Sequence, residues 1–172
     1  MADELRGRQV VESLPNRPGP AGSIGGVISH REVVLIAGQD EFALARDIRW
    51  KVFVEEQKVP AEEDIDELDA TADQFLALVD GAAVGTARLV VKGDTGILGR
   101  MAVLKEARGT GLGVALIKAV EQRAAHLGMA WMELHAQSYA RGFYERLGYV
   151  SFGDEYEEVG ITHISMRKPV SG

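Results

Sequence analysis

The stretch "ARGTGLGVAL", Ala107 to Leu116, sets glycines at 109, 111 and 113 just where an apolar helical stripe begins. Leu112, Leu116, Ala119, Val120, Arg123 and Leu127 carry that stripe forward, and Gly128 stands where a C-terminal cap belongs. The first N–H groups of a helix lack intrahelical partners and the helix dipole is positive there, so phosphate oxygens are natural ligands. Glycine lets the backbone approach such a group closely. It equally serves a tight strand-to-helix turn with no ligand, and the loop alone is compatible with both. On either side lie strand candidates, "ILGRMAVL" (Ile97 to Leu104) and "AWMELHAQ" (Ala130 to Gln137). A strand, loop, helix, strand unit of this kind predicts two parallel strands joined by a right-handed crossover.

Working outward, "REVVLIAG" (Arg31 to Gly38) reads as a buried strand, and a helix follows from Asp40, placed to cap its first turn. That helix shows Phe42, Leu44, Ala45, Ile48, Val52 and Phe53 on one face. Pro60 suits the first position of a second, short helix. "QFLALVD" and "AAVGTARLVV" flank Asp80-Gly81, a strong hairpin signal. After Gln137 come a helix from about Tyr139 to Leu147, stopped by Gly148, and two strands, "YVSFGD" and "ITHISMRK". Residues 1–29, where Pro15, Pro18 and Pro20 alternate with glycines, read as a flexible extension, and 30–172 as a single domain.

Composition narrows the function. The chain has 172 residues, 46% hydrophobic and 26% charged, enough for one domain and one active site. No apolar run approaches the roughly 20 residues a membrane helix needs, and no apolar signal core follows Arg6 and Arg8, so a cytoplasmic protein is expected. With no cysteine, thiolate metal sites and cysteine nucleophiles are excluded, and no metal site is expected. Between Val54 and Asp69 eight acids stand against Lys58 alone, a balance equal to the chain's whole net charge of −7. A nucleic-acid partner is therefore not expected. The segment reads either as a solvated acidic face or as an attractor of a cationic small molecule.

Three phosphate loops compete for residues 108–113. A Walker loop ends in Gly-Lys-Ser/Thr, whereas Leu112, Gly113 and Val114 follow Gly111 here. A dinucleotide fingerprint needs a glycine where Val114 stands, and too little chain follows to complete a doubly wound domain. The third pattern, Q/R-x-x-G-x-G/A, is met in full by Arg108, Gly109, Thr110, Gly111, Leu112 and Gly113. It is the coenzyme A loop of the GCN5-related N-acetyltransferases. "GRMAV" before it resembles that family's central strand, and "AQSYARGFYERLGYV" is similar to its second signature, with Ala140, Phe143, Tyr144, Glu145, Leu147 and Gly148 in register. "VFVEEQKVP", "VGTARL" and "GITHISM" resemble a bacterial subgroup of small acetyltransferases. The likeness covers roughly residues 31–168; Gln137 stands where many members carry asparagine.

This resemblance implies an α/β fold with a mixed, mostly antiparallel sheet of about six to seven strands, about four flanking helices and one splayed parallel pair. It implies acetyl-CoA as co-substrate, its diphosphate on the amides of Arg108 to Gly113, and its pantetheine beside free backbone groups at Met101 and Val103. A backbone N–H near Met101 or Ala102 would meet the oxyanion. Gln137, Ala140 and Phe143 complete the implied cofactor contacts. Tyr144 would protonate the departing thiolate, although Phe143, Tyr144 and Leu147 also suit helix packing. For the general base, His135 is the first candidate, with Glu133, His163, Glu55 and Glu56 behind it. The expected reaction is transfer of acetyl to a primary amine of a small, cationic acceptor, with a homodimer as the expected assembly. A non-catalytic acyl-CoA sensor is the alternative, and a nicotinamide oxidoreductase a third.

Overall fold

The computed structural model describes residues 9–14 and 29–171. Eight strands form one sheet in the order β1-β2-β3-β4-β5-β6-β8-β7. They are β1 (Gln9–Ser13), β2 (Arg31–Ile36), β3 (Asp73–Val79), β4 (Ala82–Lys92), β5 (Thr95–Val103), β6 (Trp131–Gln137), β7 (Val150–Glu158) and β8 (Ile161–Pro169). Every neighbouring pair is antiparallel except β5 with β6. The Asp80-Gly81 turn forms as expected, with φ of 50° and 82°, the two positive angles a two-residue hairpin requires.

Alternation along the strands builds two cores. Val33, Phe75, Ala77, Ala87 and Leu89 point one way, against Leu116, Ile117 and Val120 of α3 (Leu112–His126). Val34, Leu76 and Leu78 point the other way, against Ala45, Ile48 and Val52 on and just beyond α1 (Gln39–Arg49). Each fully buried Leu, Ile, Val or Phe contributes roughly 1.5–3 kcal/mol relative to exposure, so these stripes hold the helices in place. A π-helical turn, Trp50–Glu56, extends α1; the short α2 (Ala61–Asp64) and a 3-10 turn, Glu67–Ala70, follow.

Four sequence expectations change. The eighth strand is β1, inside the stretch read as a flexible extension: Val11 and Leu14 pack on the α3 core, and the strand pairs with the edge of β2. The remainder of that extension lies outside the described residues. Asp40 does not cap α1. Gly38 takes the N-cap, its carbonyl accepting from Phe42 N–H at 3.3 Å, and Asp40 sits in the first turn. Pro60 is likewise the N-cap of α2 rather than its first residue. The helix expected from Tyr139 is a 3-10 turn, Ser138–Ala140, followed by α4 (Arg141–Glu145), because tight bonds from Leu147 and Gly148 N–H to Tyr144 and Glu145 carbonyls close its end early.

A candidate active site where two strands part

β5 and β6 pair from Thr95↔Trp131 to Leu98↔Leu134, and there the ladder stops. Past that point β5 follows β4, and β6 follows β8. The cause is a bulge: Arg100 and Met101 together oppose Ala87, between the pairs Arg88↔Gly99 and Thr86↔Ala102. A bulge bends its strand. Arg100 takes a left-handed conformation, φ 48°, which for a non-glycine residue costs on the order of 1–3 kcal/mol and concentrates at functional sites.

The bulge also decides which backbone groups are available. Leu104 N–H donates to Val84 O at 2.8 Å, so antiparallel alternation puts the polar groups of Ala102 in the ladder to Thr86 and turns those of Val103 outward. Ala102 is therefore not an oxyanion donor. Val103 O accepts from Arg108 Nε at 2.9 Å, which leaves Met101 and the Val103 N–H to line the gap.

At the far end of β5, a 3-10 turn, Lys105–Ala107, leads into the glycine loop. Gly111 is the N-cap of α3 with φ 87°, a left-handed angle that suits glycine. Ala115 N–H donates to Gly111 O at 3.0 Å, so the amides of Leu112, Gly113 and Val114 precede the first intrahelical bond. The first turn of α3 holds no acid, whereas α1 has Asp40 and Glu41 and α2 has Glu62, Glu63 and Asp64. A Cβ built on Gly109, Gly111 or Gly113 would meet nothing within 4 Å. This is an open, amide-lined cradle, and it fits a diphosphate. Thr110 braces it: its Oγ1 donates to Ala107 O at 2.7 Å, and its carbonyl accepts from Arg31 Nη1 at 2.6 Å. The Arg108 side chain faces away from that role, with Nη2 on both oxygens of Glu56 at 3.0 and 2.8 Å. Glu56 is thereby engaged by Arg108.

A cavity of about 550 Å³ fills the gap between the strands, in the range of small-molecule sites. β5 contributes Met101, β6 His135 and Gln137, and the following turn and α4 contribute Ala140, Phe143 and Tyr144. Tyr144 packs edge-on against Phe143 and Tyr149, at 5.1 and 6.1 Å between centroids. Burial, with a smaller push from Tyr139, raises its hydroxyl to about 12, so it stays protonated through neutral and mildly alkaline pH. The Gln137 amide donates to Gln57 Oε1 at 3.0 Å, so its NH₂ is engaged across the cavity by the end of the π-helical turn. His135 is half exposed and its Nε2 lies 3.1 Å from Glu133 Oε2. His163 is buried, stacked on Tyr156 at 5.8 Å, with Nδ1 donating to Ile161 O at 2.7 Å. Among the described residues no group of three His, Asp or Glu side chains is arranged for a metal, and no helix is long and apolar enough to cross a membrane.

The acidic segment is not simply a solvated face. Asp64, Asp66 and Asp69 turn inward onto Arg49, Arg88 and Arg100. Arg49, fully buried, donates to Asp64 and to both oxygens of Asp69; Arg88 donates to Asp66 and Asp69 at 2.7–2.9 Å. Burial alone would raise Asp69, but the bonds from Arg49 and Arg88 outweigh it and hold the carboxyl down at about 2. Asp66 is lowered too, chiefly by its bond from Arg88. Three of the eight acids thus neutralise three arginines, and the segment's pull on a cation shrinks accordingly. Sequence reading missed this cluster; its one signal was Arg88, a charge set within the apolar run "TARLVV".

A mixed sheet opened by a bulge, with a glycine cradle at the mouth of the gap and a tyrosine inside it, defines an acyl-CoA N-acyltransferase fold. Residues 38–170 match the model of the acetyltransferase (GNAT) domain, and the chain belongs to that family. It is 36% identical to the uncharacterized N-acetyltransferase YjcF of Bacillus subtilis, across 80% of this chain and 99% of that one. Among solved structures it is similar to an acyl-CoA N-acyltransferase from Pseudomonas aeruginosa (30% identity, 77% and 92% of the two chains, TM-score 0.70). Another is Escherichia coli ElaA (26% identity, 81% and 99%, TM-score 0.72). The protein is an acetyl-CoA-dependent acyltransferase.

Proposed function

We propose that the enzyme transfers the acetyl group to a primary amine of a small molecule seated in the cavity between β5 and β6. The observation that carries this is the parting of the two strands after Leu98 and Leu134, which opens a chamber beside unpaired backbone of β5. Acetyl-CoA supplies the acyl group as a thioester. The amides around Gly109, Gly111 and Gly113 receive its diphosphate, and Met101 and Val103 line the path of its arm. Ala140 and Phe143 flank that path. The Met101 N–H is the donor assigned to the developing oxyanion.

His135 takes the proton that the attacking amine sheds. Its Nε2–H donates to Glu133, which leaves Nδ1 as the basic nitrogen. Tyr144 gives its proton to the sulfur as the C–S bond breaks and the C–N bond is complete. The desolvation that keeps Tyr144 protonated supports this role. The cationic preference expected from the acidic segment loses the support of Asp64, Asp66 and Asp69, and the acceptor is chosen by the charges of the cavity itself.

The test is release of free coenzyme A thiol with acetyl-CoA and a panel of primary amines. Tyr144→Phe is expected to lower kcat about a hundredfold while coenzyme A affinity stays within about twofold. A wild-type rate removes Tyr144 as the acid, and tight acetyl-CoA binding without transfer to any amine selects the sensor alternative.

A further inference from the structure

The charges around the cavity are arranged by wall. On the β4–β5 side stand Arg88, Lys92 and Arg100, with Glu63, Asp64 and Asp66 of the acidic segment beside them; on the side of β7, β8 and the turn between them stand Glu158 and His163. Arg49 and Arg88 give their terminal nitrogens to Asp64, Asp66 and Asp69 inside the protein. Arg100 differs. Its Nε donates to Asp64 O at 3.0 Å, and its Nη2 to Glu63 O and Asp66 Oδ2 at 3.3 and 3.2 Å. Its Nη1, with two N–H groups, has no partner among the described residues, and the side chain is 27% exposed. Lys92 and Glu158 have no ion pair there either. We propose that the acceptor is an amine that also carries a carboxylate, and that Arg100 receives this carboxylate through Nη1 while the amine end lies toward His135, with His163 and Glu158 on the same side.

This rests on the amine-acetylation reading above and names its substrate class. Three observations converge on Arg100. Its backbone holds a left-handed angle at the bulge, a position glycine would occupy more easily, so the arginine side chain is what the site retains at a cost in strain. Two of its bonds go to neutral carbonyls, and its carboxylate partners, Asp66 at 3.2 Å and Asp64 at 3.7 Å, lie on the Nη2 and Nε side, which leaves the Nη1 edge without an anion. Burial, then Arg88 and Arg49, outweigh Asp66 and Asp64 and disfavour its charged form, so a further anion is welcome there. On the opposite wall, His163 gives its Nδ1 proton to Ile161 O and presents Nε2 as an acceptor. Asp66 and Glu63 share the Arg100 wall and restrict entry to a carboxylate aligned with the guanidinium edge. A diamine without a carboxylate would leave the Nη1 edge of Arg100 unmatched.

The experiment compares amino acids with their own carboxamides as acceptors, with rates expressed per free amine because the carboxamide's α-ammonium is the more acidic, so that each pair differs in the negative charge. Expected is a kcat/KM for the acids about tenfold or more above the amides, lying mainly in KM. In Arg100→Gln that ratio is expected to fall toward one, and in Arg100→Lys to lie between. The ratio is independent of the fraction of active protein, so a destabilised variant still reports, and the wild-type comparison requires no variant. A wild-type ratio near one, or a ratio unchanged in Arg100→Gln, overturns the carboxylate site and leaves amine acetylation standing. Transfer to no amine at all overturns both.

Discussion

The two halves of this active site are built from different materials. The cofactor half is main chain: six contiguous residues, three of them glycine, at the start of one helix, with no acid in the first turn and nothing where side chains would stand. The wall proposed for the acceptor is side chain: Arg88 and Arg100 line it, and behind them buried Arg49 completes a cluster with aspartates of the acidic segment, 15 to 36 positions apart in the chain. The first, proposed for a diphosphate, is set out by local geometry. The second depends on contacts between distant parts of the chain.

The sharpest way to break that contrast is Gly111→Glu. It puts an anion into the amide cradle and is expected to weaken coenzyme A binding at least about a hundredfold in calorimetry, with the melting transition largely kept. Gly93→Glu is the control. Gly93 also has a positive φ, 59°, and open space around it, but it lies in the β4–β5 hairpin, so it carries the backbone strain without the phosphate. Equal loss in both would assign the effect to strain and remove the cradle.

The acceptor half responds in stability. Arg49→Met leaves Asp64 and Asp69 buried beside one arginine fewer, and a loss of about 3–5 kcal/mol in urea unfolding is expected. Coenzyme A affinity of the folded fraction should be kept; a large loss there would show that the two halves are not independent. A smaller effect comes from pH. Asp69 has a folded value of about 2 against an ordinary 3.8, so its stabilisation is complete above 3.8 and is lost as the pH falls from there through 2. It amounts to about 2 kcal/mol. Urea midpoints between pH 2 and 6 should fall more steeply for the wild type than for Asp69→Asn, and parallel curves would remove Asp69 as a contributor.

The same division explains what could be read in advance. The glycine loop, the stripe of α3, the Asp80-Gly81 hairpin and the aromatic pair of α4 are local patterns, and each stands where its spacing put it. The cluster of Arg49, Arg88 and Arg100 depends on a bulge at a non-glycine residue and on a chain path that folds an acidic loop inward, neither of which leaves a periodic trace. β1 escaped for another reason: its two valines give a short strand signal beside a proline- and glycine-rich run. Gln137 shows the intermediate case, visible as a departure from the family's asparagine, while its partner Gln57, 80 residues earlier, was not visible.

β1 has one practical consequence. It is the outermost member of the sheet on its side, and it covers the hydrogen-bonding rim of β2, a strand buried on both faces at Val33 and Val34. A shortened chain beginning at His30 would keep every group of the active site, yet bare a row of unpaired amides and carbonyls that a neighbouring molecule can zip onto. Residues 9–13, which line no part of the cavity, thus shield the sheet from pairing with a neighbour.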